Sequence, residues 1–514
     1  MERSGAWSDG YVSDVAYTYG YYEHLNPLAS ALPMLVAGVS PPGRGTHCEL
    51  GFGQGVSINM HAAAGGDAWW GTDFNPAQAG FAQMLAGASG AELRLFDQSF
   101  EEFCARQDLP QFDSIALHGV WSWISDDNRR CVVDFVRRTL KVGGVLYVSY
   151  NALPGWAAFS PLRRLMVEHG QLIGAGGDGI VNRISGALDF VDRLFETQPA
   201  YLRANVQVAE RIKRLRGQSR HYLAHEFFNR DWAPMHFSEL ADWLTPAKLS
   251  FACSATPSEL VDAFVLTSEQ LQLLAGIQDR VLRESVRDFC VNQQFRRDYW
   301  LRGPRRLSRR ECMEAIRGLS YVLVVPRASV PYVLPCAQGE VTLSQSVYAP
   351  MLDALADHAP RSLGALENLL APRGVDLQQI VQGVLLLSGA GYLLRAVDPA
   401  QRERQAPCVT RLNRHLLGRA ELSADMNFLA CPVTGGAVSV PHLHQLFLCA
   451  RSEGLTSGLA WAEKAWSVLH DLGHRVQGQN GPLETRAEAL AALCAEARTF
   501  EAERLPILQA LGVA

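Results

Sequence analysis

The stretch Glu49-Leu50-Gly51-Phe52-Gly53-Gln54-Gly55 combines one acid with three glycines at alternate positions. Such a turn bends tightly and lets a ligand approach the backbone with no side chain in the way. A helix starting directly after it presents free N–H groups to a negatively charged part of that ligand. Three further segments carry complementary chemistry. Gly71-Thr72-Asp73-Phe74-Asn75 offers a carboxylate able to accept both hydroxyl protons of a ribose. Asp97-Gln98-Ser99-Phe100 offers short polar groups and a ring for a base, and Leu117-His118-Gly119-Val120-Trp121-Ser122-Trp123 adds an imidazole and aromatics. Any one of these acids alone reads as a solvated loop carboxylate. Four such segments in register read as a nucleoside site.

The register comes from the elements between them. Short apolar runs at Thr46–Leu50, Ala68–Thr72, Glu92–Phe96, Ser114–Leu117 and Val145–Tyr150 alternate with helical stretches such as Ala77–Ala86 and Asp126–Leu140. This alternation predicts a parallel, doubly wound α/β sheet, with all four segments at the carboxyl ends of its strands. Residues 152–231 break the alternation with a charged helical stretch and read as an insertion. Residues 232–268 then return to the sheet, with strands expected at Leu249–Ser254 and Ala263–Thr267. The expected layout is a Rossmann-like domain with an N-terminal helical lid over 1–151, the insertion, the return, a helical linker over 269–335, a winged-helix-like unit over 336–400 and a helical domain over 401–514.

The G-x-G-x-G spacing preceded by Glu49 differs from the G-x-G-x-x-G of nicotinamide and flavin sites. It resembles the first motif of the class I S-adenosylmethionine-dependent methyltransferases. The resemblance implies that Gly51, Gly53 and Gly55 face the methionine part of S-adenosyl-L-methionine, with Glu49 and Phe52 also at the cofactor. It implies that Asp73 holds the ribose and that Asp97, Gln98, Ser99 and Phe100 hold the adenine, with Phe74, Asn75, His118 and Gly119 also at the cofactor. Tyr17-Thr18-Tyr19, Asn26-Pro27, Ser149-Tyr150-Asn151, Pro154-Gly155-Trp156 and His221-Tyr222-Leu223-Ala224-His225-Glu226-Phe227-Phe228-Asn229 extend the likeness. They are similar to a bacterial group carrying a methyltransferase regulatory domain, which includes lysine methyltransferases acting on rickettsial outer-membrane proteins. That likeness spans most of the chain and implies a protein acceptor, a surface protein included.

Methyl transfer from a sulfonium is an in-line displacement in which the protein mainly supplies alignment. A lysine acceptor must lose its proton, which an apolar, aromatic pocket favours. Trp121, Trp123, Tyr150, Trp156 and Tyr222 are the aromatic candidates, each with core packing as its bland alternative. Tyr17, Tyr19, Tyr21 and Tyr22 are placed to close over the cofactor. His118, His225 and Glu226 are the polar candidates for steering or deprotonating an acceptor, and Asn151 for hydrogen-bonding an amine. His225 and Glu226 reach the cleft only if the insertion folds over the strand tips. The tetrapeptide [DN]-P-P-[FYW] of adenine and glutamine-amide methyltransferases is missing after the fourth strand, which counts against those acceptors.

Composition bounds the rest. The chain has 514 residues, 48% hydrophobic and 19% charged, with a formal net charge of −5. That suits three or four globular domains and disfavours nucleic acid as the main partner. The basic stretches Arg211–Arg220 and Arg296–Arg310 read as solvated faces or, more sharply, as docking surfaces for an acidic partner. The winged-helix-like unit points to a protein contact or a homodimer surface. No targeting segment is expected, and no apolar run reaches the ~18 residues of a membrane helix, so no membrane insertion and a cytoplasmic location are the expectation. The 11 cysteines show no metal-type spacing, and no metal is expected. Two other functions fit the same motifs: a small-molecule methyltransferase with an enclosed pocket, and a cofactor-binding regulatory protein without turnover.

Overall fold

The computed structural model describes residues 18–173, 179–478 and 481–514. Its centre is a seven-stranded sheet: β1 Thr46–Leu50, β2 Ala68–Thr72, β3 Leu93–Phe96, β4 Phe112–Leu117, β5 Leu140–Asn151, β6 Leu249–Ser254 and β7 Phe295–Arg302. The strand order is β3-β2-β1-β4-β5-β7-β6. β1 to β5 pair in parallel, whereas β7 runs antiparallel to both β5 and β6. The order reverses between β1 and β4, and the crevice outside the strand tips at such a switch point is where open α/β sheets bind ligands.

The strands are buried because helices cover both faces. Asp126–Thr139 packs Val132, Phe135 and Val136 into one core with Ile115, Leu146 and Val148. Val56–Gly65, the helix opened by the glycine turn, is buried at all ten positions. Its sequence, Val-Ser-Ile-Asn-Met-His-Ala-Ala-Ala-Gly, has no charged side, as expected of a helix covered all round. Its outer side meets the C-terminal region, where Met60, Ala63 and Ala64 share a core with Leu412, Leu416, Ala430 and Phe447.

The insertion folds as helices, among them Ser160–Leu172, Ile180–Glu196, Gln207–Arg216 and Arg220–Phe227, around its own core of Phe159, Met166, Ile184, Leu188 and Phe227. It leaves and rejoins the sheet at the strand tips. Leu153 N–H donates to the Met235 carbonyl (3.0 Å), Met235 N–H to Asn151 (3.1 Å) and Ala233 N–H to Ser122 (2.8 Å).

The return to the sheet differs from the sequence expectation. Ala263–Thr267 is not a strand. Asp262–Val265 makes one helical turn whose Phe264 and Val265 are buried, while Arg287 binds the Asp262 carboxylate. The seventh strand is Phe295–Arg302, inside the segment expected to be a helical linker and beginning the basic stretch expected to be solvated. Arg296 is buried there because three carboxylates enclose it: Asp298 (2.9 Å), Asp288 (2.6 Å) and Glu284 (3.1 Å). Farther on, a three-stranded sheet takes its central strand, Ser320–Leu323, from the expected linker as well. That strand lies between Arg361–Ser362 and Leu393–Ala396, beside the helices Leu363–Leu370 and Leu377–Gly389. The C-terminal region is not helical throughout, since it includes the hairpin Phe428–Cys431 and Gly436–Ser439. Among the described residues no helix is long and apolar enough to cross a membrane.

Candidate functional site

The glycine turn sits at the tip of β1. Gly51 has φ +73° and donates its N–H to the Thr72 carbonyl (2.8 Å). A Cβ there would come 2.6 Å from Val120 Cγ2 and 3.7 Å from the Phe100 ring, so the loop after β4 excludes any side chain. Gly53 has φ +56° and donates its N–H to Asp73 Oδ2 at 2.8 Å. Gly55 also has a packing role. A Cβ there would lie 2.4 Å from Ala82 Cβ, so this glycine lets helices Val56–Gly65 and Pro76–Ser89 close on each other.

Two buried carboxyls flank the turn. Glu49 is 3% exposed, and its Oε2 has no hydrogen-bond partner. Burial, reinforced by Asp73, pushes it up to about 8. Asp73 accepts from Gly53 N–H and Asn75 N–H (3.0 Å), yet burial still pushes it up to about 6. No cation among the described residues acts on either group. An orphaned carboxylate oxygen beside an open glycine turn suits an ammonium. A carboxylate at the tip of β2 suits a diol. The residues present therefore fit S-adenosylmethionine, since Glu49 could take its ammonium and Asp73 its ribose diol.

The flanking positions are less uniform. Asn75 caps the helix Pro76–Ser89 through its side chain, and Ser99 is held in a capping box with Glu102, so both carry structural bonds. Phe74 is half-buried and Asp97 is exposed. Gln98 is tied by its carbonyl to Thr72 Oγ1 (2.5 Å) and by its side chain to Arg106. Phe52 is buried with Ile58, Trp69 and Leu95.

At the tip of β4, His118 Nδ1 lies 2.8 Å from the Tyr147 hydroxyl and 3.3 Å from Ser149 Oγ. Gly119 donates its N–H to Ser149 Oγ at 2.7 Å. Tyr147 and Ser149 alternate on β5 and so share one face of the sheet. Residues 18–26 cross this face. The Tyr22 ring lies 3.9 Å from His118 centre to centre, and Tyr22 N–H is fixed by Ser57 Oγ (2.9 Å). Tyr19 packs on Phe81 and beneath Arg419, and Tyr21 against His61 and Phe428; Tyr17 falls outside the described residues. Burial and the nearby Arg297 push His24 down to about 3. Burial, then His24 and Arg297, holds His118 well below the usual imidazole range. His118 is thus a neutral ring that positions through hydrogen bonds. Sequence reasoning missed Tyr147, His24 and Arg297, although the two-residue period of β5 marks Tyr147 as a neighbour of Ser149.

The aromatic pocket expected from Trp121, Trp123, Tyr150 and Trp156 does not assemble. Tyr150 points to the opposite face from Ser149, is 1% exposed and donates to Asp298 (3.2 Å). Trp121 is fully buried beside Trp243, its Nε1 toward Met235 sulfur. Trp156 donates to the Gln294 carbonyl and lies under Arg211 in the insertion core. Trp123 is paired with Trp232, with Arg163 packed on both rings. Asn151 is buried at the tip of β5, its backbone held by Ser122 Oγ (2.8 Å).

The helix Arg220–Phe227 does approach the site. Tyr222 is 40% exposed, and partial burial together with the nearby Glu226 pushes its hydroxyl up from the usual range. Glu226, on the same helix, is pushed up to about 7 by burial. His225 is buried, and its carbonyl accepts from Asn229 (2.6 Å). Among the described residues no cluster of histidine, cysteine, aspartate or glutamate could hold a metal.

Residues 219–302 match the family model of a predicted methyltransferase regulatory domain. That segment runs from the Tyr222–Glu226 helix through β7, so it completes the sheet as well as covering its tips. Over 512 residues the chain is 38% identical to the uncharacterized protein sll1526 of Synechocystis, spanning 99% of both. A stretch of 263 residues is 28% identical to the uncharacterized protein RP789 of Rickettsia prowazekii, covering 48% of this chain and 44% of that one. Among solved structures, PKMT2 from Rickettsia typhi in complex with AdoHcy shares the fold, with a TM-score of 0.69 and 16% identity over 96% of this chain and all of that one. The chain belongs to one family with the Synechocystis protein, carries the segment that matches a predicted methyltransferase regulatory domain, and shares the fold of PKMT2.

Proposed function

We propose that the chain transfers the methyl group of S-adenosylmethionine to a protein, at a lysine side-chain amine, with a bacterial surface protein as one acceptor. The observation that carries this reading is the half-exposed Tyr222, one helical turn from the titratable Glu226 and on the segment stitched to the strand tips where Tyr22 packs on His118. A rim open to solvent admits a long side chain on a folded partner, whereas a small free substrate is better held in a closed chamber. When bound, the cofactor supplies an electrophilic methyl on sulfur. The chain's own residues do the rest. Glu49 and Asp73 orient the two ends of the cofactor, and Tyr22 screens it from water. Tyr222 lines the approach of the amine. Free lysine has a pKa of about 10.4, so its proton must be removed before attack. Glu226 is titratable near neutrality and is the acceptor for that proton.

The test is incubation with methyl-labelled cofactor and bacterial protein extracts, followed by hydrolysis and amino-acid analysis. Label in methylated lysine is expected; label confined to small molecules would overturn the protein-acceptor reading. Glu226→Gln should lower kcat about 100-fold and erase the limb of the pH–rate profile near 7. An unchanged profile would remove Glu226 as the proton acceptor.

A further inference from the structure

A cavity of about 450 Å³ opens where four parts of the chain meet: the segment Tyr21–His24, the loop after β6 at Ala255–Pro257, the three-stranded sheet and the C-terminal hairpin. Most of its wall is apolar, including Leu32, Leu385, Val325, Val438 and Phe428. Three guanidinium groups interrupt that wall, from Arg297, Arg395 and Arg504. Among the described residues none of the three has a carboxylate within ion-pair distance, whereas the buried Arg296 has three.

Two of these arginines are fixed by neutral partners. Arg395 donates to the carbonyls of Ser320 and Ala396, and Arg504 to those of Val324 and Ser439. These bonds hold each guanidinium in place without offsetting its charge. The Nε atoms of Arg297 and Arg395 are buried and have no hydrogen-bond partner. The acidic side chain on the wall, Glu23, does not neutralise them. Burial pushes it up to about 8, so it is mostly protonated at neutral pH. Asp398 contributes to the field at Arg395 from farther along the chain, without an ion pair. Uncompensated positive charge in an apolar enclosure is costly unless an anion completes it.

We propose that this cavity is a binding site for an organic anion, a molecule with a carboxylate or phosphate head held by Arg297, Arg395 and Arg504 and an apolar body held by the surrounding side chains. The volume lies in the range of small-molecule sites, and the few fixed polar groups within an apolar lining follow the usual pattern of such sites. The site adjoins the methyl-transfer crevice without being the glycine-turn pocket. One of its walls, Tyr21–His24, also lays Tyr22 over His118.

The test uses the full chain and 8-anilinonaphthalene-1-sulfonate, whose fluorescence rises in apolar surroundings. One saturable site is expected, from which decanoate and decyl phosphate displace the probe and decanol does not. Whichever of the two anions displaces at lower concentration identifies the preferred head group. Arg395→Gln should weaken binding of the probe about tenfold, and Arg395→Lys should restore most of it. Equal competition by decanol, or undiminished binding in Arg395→Gln, would overturn the proposal. Hydrogen exchange on the unaltered chain gives a reading independent of the variants. Decanoate should slow exchange within Tyr21–Ala29 and Ser388–Arg395, and protection confined to other segments would overturn the assignment.

Discussion

Two clusters of buried charge serve the same sheet in different ways. At the tips of β1 and β2, Glu49 and Asp73 lie beside each other and, among the described residues, no cation acts on them and one oxygen of Glu49 has no partner. On β7, Arg296 is buried just as deeply but binds Asp298, Asp288 and Glu284, and its guanidinium also packs on the Phe237 ring. The second cluster joins a strand to the helix Arg280–Val291 and is complete within the chain. The first is complete only when something else supplies hydrogen bonds and positive charge. A buried ionisable cluster with all its partners present is scaffold, whereas one that lacks them, and so holds its proton until a ligand arrives, marks a site.

Four substitutions would break or sharpen that contrast. The largest effect is expected from Gly51→Val. The left-handed backbone and the 2.6 Å approach to Val120 leave no room, so calorimetry should detect no binding of S-adenosylhomocysteine. Retained affinity would take the turn out of the site. Next is Arg296→Met, which strands three carboxyls in the interior and should cost about 3–5 kcal/mol of stability in denaturant unfolding. A loss below 1 kcal/mol would mean that the cluster is not scaffold.

Glu49→Gln should act in the opposite sense on folding. The folded state holds the Glu49 proton up to about pH 8, against an ordinary value of 4.5. Wild-type stability therefore falls as pH rises through that window, and the variant should lack this fall. Affinity for the ammonium of S-adenosylhomocysteine should rise toward pH 8 in the wild type and stay flat in the variant. Parallel stability curves for the two proteins would contradict the assignment. The smallest effect is expected from Tyr150→Phe, which removes one hydrogen bond to Asp298 and should cost about 1 kcal/mol of stability with kcat unchanged. A large fall in kcat would return Tyr150 to the catalytic machinery.

The same contrast explains what could be read in advance. β1 to β5 and the glycine turn follow local rules, namely alternating apolar runs, a Gly spacing and an acid at a strand end, so their residues announce them. β7 does not, because its inward face carries Arg296 and Asp298. Their burial depends on Glu284 and Asp288, which lie on a preceding helix. Without knowledge of that pairing, the segment looks like a solvated basic stretch. Tyr150 was a candidate by residue type, but strand parity places it on the face away from Ser149 and His118. Glu226 required a tertiary fact, the stitching of residues 233–235 to the tips of β4 and β5. Gly55 matches the motif, and its packing on Ala82, which the motif does not announce, becomes visible only once the two helices are placed.

The helix that follows the glycine turn has one more consequence. Its ten residues are covered on the sheet side and again by the C-terminal region, and its outward Met60, Ala63 and Ala64 offer water nothing to bind. Trimming the tail to make a minimal catalyst would uncover a greasy flank directly behind the cofactor loop. Any such shortened version would need that flank redesigned with polar side chains, because in this architecture the distal hundred residues act as the back wall of the catalytic half.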